Sequence, residues 1–193
     1  MARPRNLTID ERIMAAATEL ARDGRHRFTI AEVAASAGVS RPTVYRRWRT
    51  PIALLFELQT RASVPGTMPD LGSLPAELSL AVEHLVASMA AADREAVAAQ
   101  MSEMIAHPDF AATVRERRWD PDRERVHVIW QRAVERGDAP ADVDGRALID
   151  DLVAICHFRV HLLHQLLSAS ECAALVDRLL FGALDESARG RYG

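Results

Sequence analysis

The chain has 193 residues, 49% of them apolar and 26% charged, with a formal net charge of −3; this excludes bulk disorder and allows one or two compact domains. Ten aromatic residues (three Trp, two Tyr, five Phe) leave the core to Ala, Leu and Val, and nine Gly with nine Pro are few for an all-β chain. No apolar run reaches the roughly 20 residues of a membrane span and no secretory leader pattern is seen, while two cysteines, Cys156 and Cys172, suit a reducing cytoplasm better than a disulfide framework.

The periodicity is helical throughout. Ile9, Ile13, Ala16 and Leu20 form one apolar stripe, with Thr8 and Glu11 spaced as a capping box at its start and Gly24 as its stop. Thr29 and Glu32 open a second helix along Ile30, Val33, Ala34 and Ala37, ended by Gly38. Ser40 caps a short third helix with Pro42 in its first turn, where a missing N–H costs little. Thr50 and Pro51 open a fourth, carrying Leu54, Leu55 and Leu58. After a Pro/Gly-rich loop, the stripes Leu78, Val82, Leu85, Met89 and Val97, Met101, Met104, Ile105 predict two more. A helical segment from about Asp109 to Arg136 is expected to break at Pro121. A turn then leads to a long helix from Asp144 to Leu167, and Ser170 caps a last one along Leu175, Leu179 and Ala183. The fold expected is all-α, about nine helices, with a small basic three-helix unit over residues 1–50 and a larger antiparallel helical bundle over 51–193.

All 24 basic residues are Arg, which reads as coding bias and lowers the information in any single one. Their distribution is more telling. Residues 1–60 hold ten Arg against six acids, and residues 61–193 hold 14 against 21. From Val33 to Phe56 there is no acid and there are four Arg: Arg41, Arg46, Arg47 and Arg49. Such a segment suits a polyanion, although charge alone favours a solvated face.

Within residues 29–48 two short helices meet across Gly38-Val39-Ser40. Gly38 can supply the positive φ of a tight turn, Ala34 and Ala37 permit a close crossing, and Val39 and Val44 fill the wedge. That specifies a helix-turn-helix. Val44 and Trp48 face inward at i and i+4, leaving Arg41, Thr43, Tyr45, Arg46 and Arg47 outward. Arg can bond guanine bidentately, Thr can contact a base edge, and Pro42 can meet a thymine methyl. Tyr45, the Thr29 hydroxyl and the helix N-termini can hold phosphates. An ordinary helical hairpin with an Arg-rich face is the other reading of the same pattern.

The segments ARDG, FTIAEVAASAGVS and RPTVYRRW, followed by an aliphatic helix from Pro51, resemble the DNA-binding domain of the TetR family of transcriptional repressors over about residues 7 to 58. RAVERGDAPADVD followed by a long helix containing Phe158-Arg159 is similar, more loosely, to the ligand-sensing domain of one subset of that family. The resemblance implies a homodimer with two recognition helices, Ser40 to Trp48, in successive major grooves. It carries DNA contacts onto Thr29, Arg41, Pro42, Thr43, Tyr45 and Arg46. Many relatives place a phosphate-clamping Lys at the start of the fourth helix, where this chain has Arg49, Thr50 and Pro51. Arg3 and Arg5 could reach a minor groove, or simply belong to a frayed terminus.

The resemblance also implies a small-molecule effector inside the larger bundle. Met89, Met101, Met104, Phe110, Trp119, Trp130 and Phe158 are its candidate lining, each of which could equally be plain core. Arg159 falls on an apolar stripe with Leu148, Leu152, Ile155, Leu162 and Leu166, so it needs either an anionic effector or an internal partner such as Asp151. The last two helices should pair between subunits, with Leu163, Leu167, Leu175, Leu179 and Ala183 as candidates. His157, His161 and His164 share a helical face, but nothing nearby completes a metal set, and no metal or other cofactor is expected. Cys156 and Cys172 read as buried structural thiols, a redox pair being the alternative. No catalytic constellation is present, so no enzyme is expected. The expectation is a ligand-responsive regulator, most simply a repressor, that binds a palindromic operator; the rival is a helical ligand-binding or protein-interaction module that no longer reads DNA.

Overall fold

Capping chemistry starts the first helices where the sequence pattern puts them. In the computed structural model, which describes residues 8–22, 28–62 and 66–182, the Thr8 N–H donates to Glu11 Oε2 at 2.7 Å and the Thr8 hydroxyl accepts the Glu11 N–H at 3.3 Å. That reciprocal pair opens α1 (Ile9–Arg22). Thr29 and Glu32 repeat it at α2 (Ile30–Ala37). Ser40 caps α3 (Arg41–Tyr45), and Thr50 Oγ1 accepts the Ala53 N–H at 3.2 Å at the start of α4 (Pro51–Ala62). Six more helices come after these: α5 (Leu74–Ala91), α6 (Arg94–Ala106), α7 (Pro108–Val114), α8 (Asp120–Arg136), α9 (Gly145–His157) and α10 (Ala169–Phe181). The described residues contain no strand, and none of their helices is long and apolar enough to cross a membrane.

The chain divides into two compact units, Met1–Val64 with Asp93–Arg118, and Pro65–Ala92 with Trp119–Gly193. In the first, Ile13, Val33, Val44 and Leu54 are fully buried among Phe28, Ile30, Ala34 and Ala37. Val44 is the one buried side chain of α3. A five-residue helix cannot persist alone, so the roughly 1.5–3 kcal/mol of burying Val44 is what holds it in place. The same unit grips α4 from the other side of the sequence. Ala96 of α6 packs on this core, and Phe110 of α7 meets Phe56 edge-to-face at 5.8 Å. Arg117 pairs with the buried Glu57, which also accepts from Arg61 Nε at 2.8 Å.

This ion pair makes a prediction. Hydrogen bonding to Arg117, opposed by burial and assisted by Arg61, holds the Glu57 carboxyl below its ordinary 4.5. A carboxyl depressed in the fold contributes stability that is fully present above its unfolded pKa and lost as pH falls through the folded one. Glu57 should therefore stabilise at neutral pH and stop doing so on acidification below about 4.5. Urea midpoints measured between about pH 5 and 3 should fall more steeply for the native protein than for Glu57→Gln. Equal slopes would refute the assignment.

In the second unit, Leu78, Val82, Val86 and Met89 of α5 pack with Ile129, Trp130 and Ala133 of α8, with Leu152 and Cys156 of α9, and with Cys172, Leu175 and Val176 of α10. Glu77 is buried beside this core, only 1% exposed. Its carboxylate accepts from Arg132 Nη2 at 2.6 Å and from the Leu71 N–H at 3.3 Å, and Arg136 Nη1 lies 3.3 Å away. Arg132 also donates to the carbonyls of Met68, at 3.1 Å, and Pro69, at 2.9 Å. The segment 68–72 is thus tied to α8 by two arginines and one buried acid.

Three expectations about helix limits are corrected. The long segment after Asp109 breaks at a π-helical turn, Arg115–Trp119, and Pro121 sits harmlessly in the first turn of α8. The helix expected to reach Leu167 ends at His157, followed by a second π turn, Phe158–Leu162. There the Leu163 N–H bonds Phe158 O at 3.0 Å, an i+5 step that inserts a residue and rotates the chain beyond it. Ser168, rather than Ser170, caps α10, because its hydroxyl and N–H form the reciprocal pair with Glu171. The α6 stripe is not buried within its unit: Val97 is half-buried, Met101 exposed and Ile105 86% exposed. Arg3, Arg5, Gly24 and Ala183 lie outside the described residues.

Candidate nucleic-acid interface

The turn between α2 and α3 is built on one glycine. Gly38 has φ 63° and ψ 39°, the left-handed region. Its N–H bonds Ala35 O at 3.2 Å and the Val39 N–H bonds Ala34 O at 2.9 Å, the paired closure that satisfies the last carbonyls of α2. Arg12 of α1 completes it. Its Nη2 donates to Ala37 O at 2.5 Å and Gly38 O at 2.9 Å, and a Cβ at Gly38 would stand 2.8 Å from that nitrogen. Sequence reading passed over Arg12, since no local spacing links it to a turn 26 residues away.

Val39 then packs against the core and Ser40 starts α3. The Ser40 hydroxyl accepts the Thr43 N–H at 3.3 Å and shares a 2.8 Å hydrogen bond with the Thr43 hydroxyl. With Val44 turned in and Trp48 half-buried, Arg41, Pro42, Tyr45 and Arg46 stand exposed. Arg49 is exposed just before α4. Arg41, Arg46 and Arg49 make no ion pair among the described residues. This stretch, which has no acid between Val33 and Phe56, therefore exposes three guanidiniums and a phenol.

Two expected members stand differently. Arg47 is turned back on its own unit: its Nε pairs with Asp10 of α1 and its Nη1 donates to Thr43 O at 3.3 Å. Thr29 gives its hydroxyl to Glu32 Oε2 at 2.9 Å and its N–H to the same oxygen at 2.7 Å, so its side chain is occupied as a cap.

The candidate effector lining is divided between the units. Met101, Met104 and Phe110 belong to the first, where Phe110 is half-buried on Phe56. Met89, Trp119, Trp130, Phe158 and Arg159 belong to the second. There Met89 and Trp130 are core, whereas Trp119 and Phe158 are exposed. Trp130 and the buried His127 also line an open depression of about 620 Å³ with Gln131, Val143 and Asp144. Arg159 is half-buried, acts electrostatically on Glu171 and Cys156, and makes no ion pair with Asp151 among the described residues.

Of the expected interface residues, Leu167 and Leu175 are buried in the core of their own unit and Leu179 packs against it, whereas Leu163 is exposed. The exposed apolar side chains here are Phe158, Leu162, Leu163, Leu166 and Phe181. His157 and His161 place their rings 5.2 Å apart, but His164 comes after the end of the helical turn with φ 55°, so the three share no helical face. Cys156 and Cys172 are both buried and free. Burial first, and then the neighbouring Cys172, push the Cys156 thiol up to about 11, which keeps it protonated and unreactive at neutral pH.

A family model described as "Bacterial regulatory proteins, tetR family" matches residues 13–58, and one described as "Tetracyclin repressor-like, C-terminal domain" matches residues 68–179. The chain is 32% identical over 136 residues to the DNA-binding transcriptional repressor TetR of Mycobacteroides abscessus, covering 69% of this chain and 70% of that protein. It is 27% identical over 168 residues to an uncharacterized HTH-type transcriptional regulator of Mycobacterium tuberculosis, covering 85% and 81%. Among solved structures, FadR of Thermus thermophilus, a TetR-family transcriptional repressor in complex with lauroyl-CoA, superposes with a TM-score of 0.65 at 23% identity, covering 91% of this chain and 95% of that one. At that identity the likeness speaks for the fold.

Proposed function

Since the chain belongs to the TetR family of bacterial regulatory proteins, and is with them a helix-turn-helix transcriptional regulator, we propose that it acts as a dimeric repressor that leaves a two-fold symmetric operator when a small molecule binds. The observation that carries the proposal is the exposed face of α3, Arg41, Pro42, Tyr45 and Arg46, flanked by Arg49 and held by the buried Val44. Arg41 and Arg46 reach base edges or phosphates, Thr43 and Pro42 approach a thymine methyl, and Tyr45, Ser40 and Arg49 meet the backbone. The division of labour follows the two matched regions, reading in residues 13–58 and effector sensing in residues 68–179. Dimerisation is supported by the exposed group Phe158, Leu162, Leu163, Leu166 and Phe181, an apolar surface of the kind that marks an interface. A two-fold dimer places its recognition helices about 34–36 Å apart or slightly more, so the operator carries matching half-sites.

Footprinting upstream of the protein's own and adjacent genes tests this. The expected result is a protected palindrome whose affinity falls steeply with salt. Arg46→Ala should weaken that binding by about 1–3 kcal/mol and relax base preference at one position in each half-site. Unchanged operator affinity would remove Arg46 from the interface, and no protection anywhere would favour the protein-interaction reading.

A further inference from the structure

We propose that Asp10 sets how tightly this surface holds DNA of arbitrary sequence, by withholding Arg47 from the phosphates. The inference rests on the DNA-binding reading above. Its basis is the ion pair between Asp10 of α1 and Arg47, two residues past the end of α3. The sequence keeps acids out of the whole stretch from Val33 to Phe56, yet folding delivers one to it from α1. Asp10 meets Arg47 through Nε, while Nη1 of the same guanidinium is turned to Thr43 O. The charge of Arg47 is thus paired, and one of its donors spent, inside its own unit, whereas Arg41, Arg46 and Arg49 make no ion pair among the described residues.

The consequence differs for the two kinds of DNA. Binding to arbitrary sequence is almost entirely counterion release, with each neutralised phosphate contributing about 0.9 to the salt slope. Taking one Arg out of that count lowers such binding directly. Specific binding also draws on base-edge contacts, which Arg47 does not supply here, and is lowered in smaller proportion. Asp10 therefore acts as a specificity-determining residue: it raises the ratio of operator to non-operator affinity by weakening the unwanted complex.

The test uses the full chain and a mixed-sequence duplex without the operator, at about 50 to 200 mM salt. Asp10→Asn should bind this duplex about two- to five-fold more tightly at the lower salt, with a slope steeper by about 0.9 per protomer. Arg47→Gln should keep the native slope, and the double variant should match Arg47→Gln. Asp10 is half-exposed, so its substitution should leave the thermal melt near native, and Asp10→Ala repeats the measurement without the amide. The inference is overturned if Arg47→Gln alone flattens the slope, because Arg47 then already neutralises a phosphate. It is overturned equally if the Asp10 variants match the native protein in affinity and slope. Should every protein fail to bind even at the lower salt, the DNA-binding reading falls and takes this one with it.

Discussion

Arg132→Met should lower the free energy of unfolding by about 3–5 kcal/mol, read from urea midpoints at neutral pH. The argument lies in the asymmetry of a buried pair. The Glu77 side chain has no solvent exposure, whereas that of Arg132 keeps 20%. Removing the arginine strands a carboxylate that water cannot reach, with the Leu71 N–H and the more distant Arg136 as its remaining support. It also frees the carbonyls of Met68 and Pro69. Removing the charge from the acid instead is a smaller change. Glu77→Gln keeps the shape, still accepts a hydrogen bond, and leaves an arginine that can hydrate, so about 1–2 kcal/mol is expected. If the two substitutions cost the same, or Arg132→Met costs under about 1 kcal/mol, the carboxylate is not the buried charge described here.

Gly145→Ala should cost about 1–3 kcal/mol and shift the tryptophan emission spectrum. Gly145 opens α9 behind its cap Asp144, at an ordinary negative φ, so backbone conformation is not the issue. The obstacle is Trp130. A Cβ on Gly145 would stand 2.3 Å from Trp130 Cγ, 2.5 Å from Cδ2 and 2.8 Å from its Cβ. Those atoms lie at the root of the side chain, so a rotamer change cannot carry them away, and α8 and α9 would have to part. Gly66 supplies the control, because a Cβ there meets nothing within 4 Å. Gly66→Ala should be neutral or stabilising by about 0.4–1 kcal/mol. A Gly145→Ala protein with native stability and emission would contradict the packing of α8 on α9.

What the sequence made legible is what depends on near neighbours. The Thr8–Glu11 and Thr29–Glu32 boxes, the Gly38 turn and the inward Val44 are all settled within a few residues, and each appears as patterned. The exposed face of α3 comes from the same local rules. Three kinds of feature were not legible. Arg12 on Gly38, Arg117 on Glu57 and Arg132 on Glu77 join residues 26, 60 and 55 apart, and in a chain whose every cation is Arg no composition signal singles them out. The π turns after Val114 and His157 leave no mark on apolar spacing, because a single inserted residue looks like ordinary scatter in a 3.6-residue period. Finally, an apolar stripe says that a face is covered and not by what. Leu167 and Leu175 were assigned to a partner subunit and are covered by their own.

The way the chain weaves back also bears on how this regulator can be engineered. Because α6 and α7 return to brace α4, the reading head is not a contiguous cassette. A chimera that grafts residues up to Val64 onto a foreign sensor would leave Phe56 without Phe110 and the Glu57 carboxylate without Arg117. Transplanting the operator preference to a new sensor calls for exchanging the recognition residues on α3 in place, with the native scaffold kept around them.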